Sequence, residues 1–299
     1  MSERAVTLTL PVRAPFDASG LLSFFAARAL PGVERVGPGE NSYERTFAEG
    51  ARVGTVRVTL VRRGRSLFLS PEIPAWASHE RLSARVGRLF DLSADPRAIA
   101  RVLSRDPLLA PLVAARPGLR VPGAWDPFEV SVRAVLGQQI SVAGARTLAG
   151  RLVALCGRPL PKGVARPGLT HVFPSAGDVA DADIVRVGLP RARAAALKSF
   201  ARAVAEGTFV LAAPKGLPDF EERLTALPGF GPWTAHVVAL RAFGEGDAFP
   251  EGDLGLVKAL ARAGVERSRI AARAEHWRPF RAYATLHLWA SLADGKGGA

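Results

Sequence analysis

The stretch that most constrains this chain is residues 227–256, LPGFGPWTAHVVALRAFGEGDAFPEGDLGL. Its opening, Leu227-Pro228-Gly229-Phe230-Gly231, is too rich in glycine and proline for a helix interior, and helical patterns flank it on both sides. Pro232 suits the first position of a second helix, where a missing N–H costs nothing. A helix–hairpin–helix results, its glycines permitting a tight turn and close approach of a partner. The N–H groups of Phe230, Gly231 and the next first turn, Trp233 and Thr234, are expected to point outward unpaired. Such a terminus is an anion site, and phosphate is its natural occupant. Past the second helix, a loop ends in Asp253, placed as the N-cap of another helix.

The rest of the chain divides into two styles. Residues 1–92 read as α+β: a weakly alternating strand at 5–12, a helix at 16–29, strands at 42–47, 54–62 and 66–70, and a helix at 80–90. One antiparallel sheet backed by helices is expected. From Asp95 onward the pattern is helical, at 96–104, from Asp126-Pro127-Phe128-Glu129 to near Gly137, and from Ser141 to Cys156. Further helices are expected at 176–180, 182–187, 191–206, 218–226, 232–243, 254–262, 268–277 and 280–292, with 294–299 a frayed tail. Residues 116–124 (RPGLRVPGA) form a Pro/Gly-rich linker.

Net charge is +13, which points to a polyanion such as nucleic acid. A compositional bias toward arginine is the bland alternative, since only five of the 40 basic residues are lysines. No apolar run is long enough to span a bilayer, and the N-terminus has no signal-peptide core, so a cytoplasmic protein is expected. The five histidines show no metal-ligand spacing, and the single Cys156 excludes an internal disulfide and a four-cysteine cluster.

A phosphate grip followed by a carboxylate is an arrangement suited to DNA repair. LPGFGPWTA with the later Gly252-Asp253 resembles the helix-hairpin-helix DNA glycosylases, of the AlkA-type 3-methyladenine DNA glycosylase II family in particular. Residues 22–30 (LSFFAARAL), 116–123 (RPGLRVPG), 135–143 (VLGQQISVA) and 274–288 (AEHWRPFRAYATLHL) match that family in the same order, so the likeness covers almost the whole chain. It implies an N-terminal α+β domain (1–92), then an all-α core of two subdomains, 93–117 with 246–299 and 118–245, with the active site in the cleft between them. The implied partner is double-stranded DNA with a damaged base, bound by a monomer.

The resemblance makes Asp253 the catalytic carboxylate; position alone would make it a helix cap. Asp247 and Glu251 are nearby rivals that do not align. Trp233 and Trp277 become pocket walls for a flipped, cationic purine, with Phe24 a further pocket aromatic; as plain sequence, each is a core aromatic. Where close relatives carry tyrosines, this chain has Val237 and Leu254, so a wider, less aromatic pocket follows. Gln138-Gln139-Ile140 resembles the loop that fills the gap left by the flipped nucleotide; its simpler reading is a helix–helix turn. Gly229, Phe230, Gly231, Trp233 and Thr234 would grip DNA. The carbonyls of Thr225, Leu227 and Phe230 match positions that bind Na+ or K+ in the family. No other cofactor is implied, and no iron–sulfur cluster. Relatives that also cut the backbone place a lysine where this chain has Trp233, so base removal by water is expected. The alternatives are a glycosylase of the same fold for hypoxanthine, uracil or an oxidised purine, and a DNA-binding protein without catalysis. Arg281 and Tyr283 read as scaffold.

Overall fold

The computed structural model describes residues 4–37, 39, 41–212 and 215–294. The N-terminal part is one antiparallel sheet. Its strands are β1 (Ala5–Thr7), β2 (Leu10–Pro11), β3 (Glu34–Val36), β4 (Ser42–Glu49), β5 (Arg52–Arg63) and β6 (Ser66–Pro74), in the order β1-β6-β5-β4-β3 with β2 also on β6. Two tight hairpins set the register, pairing Glu49 with Arg52 and Arg63 with Ser66. Helices α1 (Ala18–Arg28) and α2 (His79–Leu89) pack on the sheet over a core that includes Leu22, Phe25, Tyr43, Val58, Leu82 and Phe90. Asp17 and Ser78 cap these helices, accepting from the amides of Gly20 and Arg81.

Among the described residues after 95, the named elements are helical apart from a two-strand ladder, β7 (Arg158–Pro159) with β8 (His171–Val172). The helices are α3 (Pro96–Leu103), α4 (Leu109–Ala115), α5 (Pro127–Leu136), α6 (Val142–Cys156), α7 (Ala176–Asp181), α8 (Arg191–Ala205), α9 (Leu217–Thr225), α10 (Pro232–Val238), α11 (Leu254–Arg262), α12 (Ile270–Ala274) and α13 (Arg281–Asp294). Their apolar faces share one core. The starts of α3, α5, α6 and α11 are capped by Asp95, Asp126, Ser141 and Asp253.

Several expectations change. The helix expected at 232–243 opens into a π turn over Ala239–Phe243. The one expected at 268–277 breaks into α12 between two 3-10 turns, and 182–187 is a 3-10 turn over Ile184–Val187. Strand β3 and helix α4 are too short to give a periodic signal. The expected tail is helical at Asp294, and 295–299 lie outside the described residues. Among the described residues no helix is long and apolar enough to cross a membrane.

The two parts meet at a buried ionic seam. Arg45 on β4, 2% exposed at its side chain, pairs with Glu129 of α5 at 2.7 Å and Glu34 of β3 at 3.3 Å. Arg133 of α5 pairs with the same two carboxylates at 3.0 and 2.8 Å. Glu129 sits at the position of a capping-box glutamate, but its carboxylate serves this seam. Removing one partner of such a set leaves an uncompensated buried charge, at about 3–5 kcal/mol. The seam therefore sets how the sheet sits on the helices.

Candidate active site

The hairpin between α9 and α10 closes as a type II turn. Phe230 N–H donates to the Leu227 carbonyl at 3.2 Å, Pro228 occupies the second position, and Gly229 takes φ +82 at the third. A Cβ on Gly229 would stand 2.8 Å from Ala196 Cβ, so glycine is required by both conformation and packing. This corrects the expectation that the Phe230 amide faces outward: the turn itself uses it. The Phe230 ring is buried against Phe200, centroids 4.6 Å apart, and anchors the turn to α8. Among the described residues, no hydrogen bond is recorded from the amides of Gly231, Trp233 and Thr234, and these remain available to an anion.

Loop 138–140 is fastened to the hairpin. Gln138 Nε2 donates to the Gly229 carbonyl at 3.0 Å and to Thr234 Oγ1 at 3.2 Å, and Arg193 of α8 donates to the Gln138 carbonyl at 3.2 Å. The side chains of Gln138 and Thr234 (1% exposed) therefore hold the two loops together, while Gln139 and Ile140 are exposed beside them. Gln139 adopts φ +62, a left-handed conformation rare for a residue with a Cβ. At the hairpin, the Leu227 carbonyl accepts the Phe230 amide, while those of Thr225 and Phe230 accept none among the described residues. Each of the three carbonyls thus keeps at least one lone pair unused among the described residues.

Asp253 sits at the N-terminus of α11. Its Oδ1 accepts from Leu256 N–H at 2.9 Å and from Trp289 Nε1 at 2.8 Å, and its Oδ2 accepts from Trp233 Nε1 at 2.9 Å. Both indoles are half-buried. One belongs to α10 just past the hairpin and the other to α13, so the carboxylate is fixed by three helices at once. The loop leading to it is held as firmly. Phe249 N–H donates to His236 Nδ1 at 2.9 Å, and Ala282 N–H to the Gly246 carbonyl at 2.9 Å. Arg281 grips Asp247 through Nε and Nη2, each at 2.8 Å, and Arg278 also donates to Asp247. Arg281 is thus more than general scaffold: it clamps the loop carrying Asp253.

Trp277 is a correction. Its side chain is 0% exposed, its indole N–H donates to Asp106 at 2.7 Å, and its ring meets Phe249 edge-on at 6.0 Å. A ring sealed in the core offers no face to a base. Trp289, in the same C-terminal segment, stands at the carboxylate instead. The sequence analysis did not single out Trp289, and the difference between the two lies in a long-range contact: Asp106 gives Trp277 a buried acceptor. Phe24 lies where the two cores meet, with the guanidinium of Arg28 3.8 Å and that of Arg241 5.3 Å from its centroid. Arg241 donates to the carbonyls of Pro122 and Gly123, and burial, with Arg133 and Arg28 nearby, pulls it down to about 9. Val237 is 8% exposed, whereas Leu254, beside Asp253, is 78% exposed. Asp247 and Glu251 are not placed with the indoles: the first is tied up by arginines and the second is exposed.

A helix-hairpin-helix fold with a carboxylate clamped just beyond the hairpin defines the class. The chain's likenesses agree with it. Residues 7–126 match the AlkA N-terminal domain. The chain is 37% identical over 289 residues to DNA-3-methyladenine glycosylase 2 of Escherichia coli, covering 94% of this chain and 96% of that one. It is 41% identical over 295 residues to a probable bifunctional transcriptional activator/DNA repair enzyme AlkA of Mycobacterium tuberculosis, covering 97% of this chain but 58% of the relative's length. Among solved structures, a 3-methyladenine DNA-glycosylase of Archaeoglobus fulgidus superimposes with TM-score 0.76 at 22% identity, over 94% of this chain and 97% of that one. An 8-oxoguanine glycosylase/lyase of Clostridium acetobutylicum gives 0.74 at 19%, over 99% and 100%. These two structural likenesses establish the fold. The sequence identities establish membership: the chain belongs to the AlkA family of DNA-3-methyladenine glycosylases.

Proposed function

We propose that this chain is a DNA glycosylase that hydrolyses the N-glycosidic bond of alkylated purines, 3-methyladenine foremost, after flipping the nucleotide out of the duplex. The carrying observation is the Asp253 carboxylate held by Trp233, Trp289 and Leu256. Glycosidic cleavage builds oxocarbenium character on the sugar, and a preorganised carboxylate stabilises that charge. A carboxylate offers about four acceptor positions. The three N–H donors leave one on Oδ2, free to meet the sugar or to orient a water.

The two indoles supply electron-rich faces, worth about 1–2 kcal/mol to a desolvated cationic purine. The amides of Gly231, Trp233 and Thr234 would take a backbone phosphate of double-stranded DNA, and the +13 charge supports that polyanionic partner. Gln139 and Ile140, exposed at the tip of loop 138–140, would fill the space left by the flipped nucleotide. The carbonyls of Thr225, Leu227 and Phe230 would hold Na+ or K+ against that phosphate, supplying positive charge at the grip. Trp233 has no amine, and no lysine occurs between Lys215 and Lys258, which supports base removal by water without strand cleavage.

The test is Asp253→Asn. Asparagine keeps an oxygen for the Leu256 cap but turns its amide N–H groups toward one indole donor. Binding to abasic-site DNA should stay near wild type, while single-turnover excision of 3-methyladenine falls by about a thousandfold or more. Near wild-type excision would sink the assignment. A second reading, a neutral damaged base as substrate, draws on Val237 and on the exposure of Leu254. Faster removal of hypoxanthine, uracil or an oxidised purine than of 3-methyladenine would favour it.

A further inference from the structure

His236 joins three segments that the reaction would need in register. It lies on α10, the second hairpin helix. Its Nδ1 accepts the Phe249 amide at 2.9 Å, on the loop that ends at Asp253. Its Nε2 faces Glu221 Oε2 of α9, the first hairpin helix, at 3.2 Å. An amide N–H can only donate, so Nδ1 must be bare and the neutral ring carries its proton on Nε2, toward Glu221. One tautomer satisfies both contacts. A second proton, on Nδ1, would point at the Phe249 N–H and break that bond.

We infer that His236 is a positioning residue: in its neutral form it ties the loop bearing Asp253 to the hairpin, and protonation unties it. The inference rests on the reading of Asp253 as the catalytic carboxylate. Glu221 of α9 contacts the ring, and Arg281 of α13 and Asp247 of the loop act on it electrostatically. Asp247 is already gripped by Arg278 and Arg281, which leaves Glu221 as the carboxylate paired with the ring. Burial holds the ring below its ordinary value, against the opposing pull of Glu221, so the neutral form prevails at pH 7. The bond being lost sits four residues before Asp253. A shift of about 1 Å in a reacting group costs on the order of a hundredfold in rate.

Three substitutions separate positioning from bulk packing. In His236→Asn the side-chain oxygen stands where Nδ1 does and cannot titrate. In His236→Gln the amide reaches toward Glu221 and leaves Phe249 without an acceptor. In His236→Leu both contacts go. Single-turnover excision of 3-methyladenine is followed from about pH 5 to 8, the range of histidine titration, beside binding to an abasic-site duplex and circular dichroism. Wild type should lose rate on the acid side. The Leu and Gln variants should be slower by about tenfold or more at neutral pH with duplex affinity unchanged. The Asn variant should recover most of the rate and flatten the acid limb. An Asn variant with the wild-type acid limb, or a Gln variant at the wild-type rate, overturns the inference while leaving the glycosylase reading intact. A wild-type protein without excision would instead remove that reading, and this inference with it. Should the Leu variant fail to fold, the contrast between Asn and Gln decides.

Discussion

The two C-terminal tryptophans give the most discriminating prediction, because each donates one indole hydrogen bond to one aspartate. Trp289 donates to Asp253 at 2.8 Å and Trp277 to Asp106 at 2.7 Å. Phenylalanine in either place keeps an aromatic ring and deletes the donor. A hydrogen bond to a charged group is worth about 1.5–3 kcal/mol. At Asp253 the loss falls on the orientation of the proposed catalytic carboxylate, which keeps only Leu256 on Oδ1 and Trp233 on Oδ2. At about 1.4 kcal/mol per factor of ten, Trp289→Phe should slow single-turnover excision by about 10- to 150-fold. Thermal stability should change little, since a half-buried indole retains access to water. At Asp106 the same loss falls on a sealed site. Arg273 still donates twice, at 3.1 and 2.5 Å, and Leu108 N–H at 2.8 Å. Trp277→Phe should therefore lower the melting temperature by several degrees, on the order of 2–4 °C per kcal/mol for a chain near this size. Excision by the folded fraction should stay near wild type. The assay pairs single-turnover rates with thermal melts on both variants. If Trp289→Phe remains within about threefold of wild type, or if Trp277→Phe is the slower enzyme, the placement of Trp289 at the reacting centre is refuted.

Three further outcomes follow from the same geometry. Borohydride added during reaction should trap no protein–DNA adduct, because Trp233 carries no amine; an adduct on a denaturing gel would establish lyase chemistry. Affinity for duplex DNA should fall steeply with salt and depend little on sequence, since amides and arginines meet phosphates, and a flat salt titration would contradict this. Burial pushes Glu34 up, yet Arg133 and Arg45 beside it win and hold it at about 2 against 4.5 unfolded. A depressed carboxyl stabilises above its unfolded value and loses that contribution as pH falls through the folded one. Urea midpoints should therefore drop from about pH 4.5 downward, and Glu34→Gln should be less stable near neutrality with a shallower acid limb.

What the sequence disclosed, and what it withheld, divides along a physical line. Local chemistry was legible. The tight turn at Pro228-Gly229, the Asp253 cap on α11, and the starts of α5 at Asp126-Pro127 and of α6 at Ser141 are each decided within a few residues. The antiparallel sheet was legible from alternation, as in Val56-Arg57-Val58-Thr59-Leu60. Pairings between distant residues were not. The Arg45–Glu129 pair spans the two cores, and the Trp277–Asp106 bond joins α12's neighbouring turn to the loop before α4. Neither leaves a periodic trace, so the sequence does not separate the sealed Trp277 from Trp289, which donates to Asp253. The outward amide at Phe230 failed for a subtler reason. Counting orphan N–H groups at a helix start assumes that the preceding turn makes no bond of its own, and here the turn that builds the hairpin consumes one.

The same division explains why the sequence shows the loop before Asp253 but not how firmly it is held. GEGDAFPEGD reads as a polar connection, and connections are usually the mobile part of a fold. Yet His236, Arg281, Arg278 and Ala282 each hold one of its residues, from α10, from α13 and from the turn before α13. A carboxylate that must act without reorganising needs its main chain fixed as well as its side chain. In the proposed reaction the indole clamp on Asp253 and the tethers on residues 246–249 would serve one requirement at two levels. That common requirement makes the tethers, and not only the residues facing the substrate, the place to look for slow variants that still bind DNA.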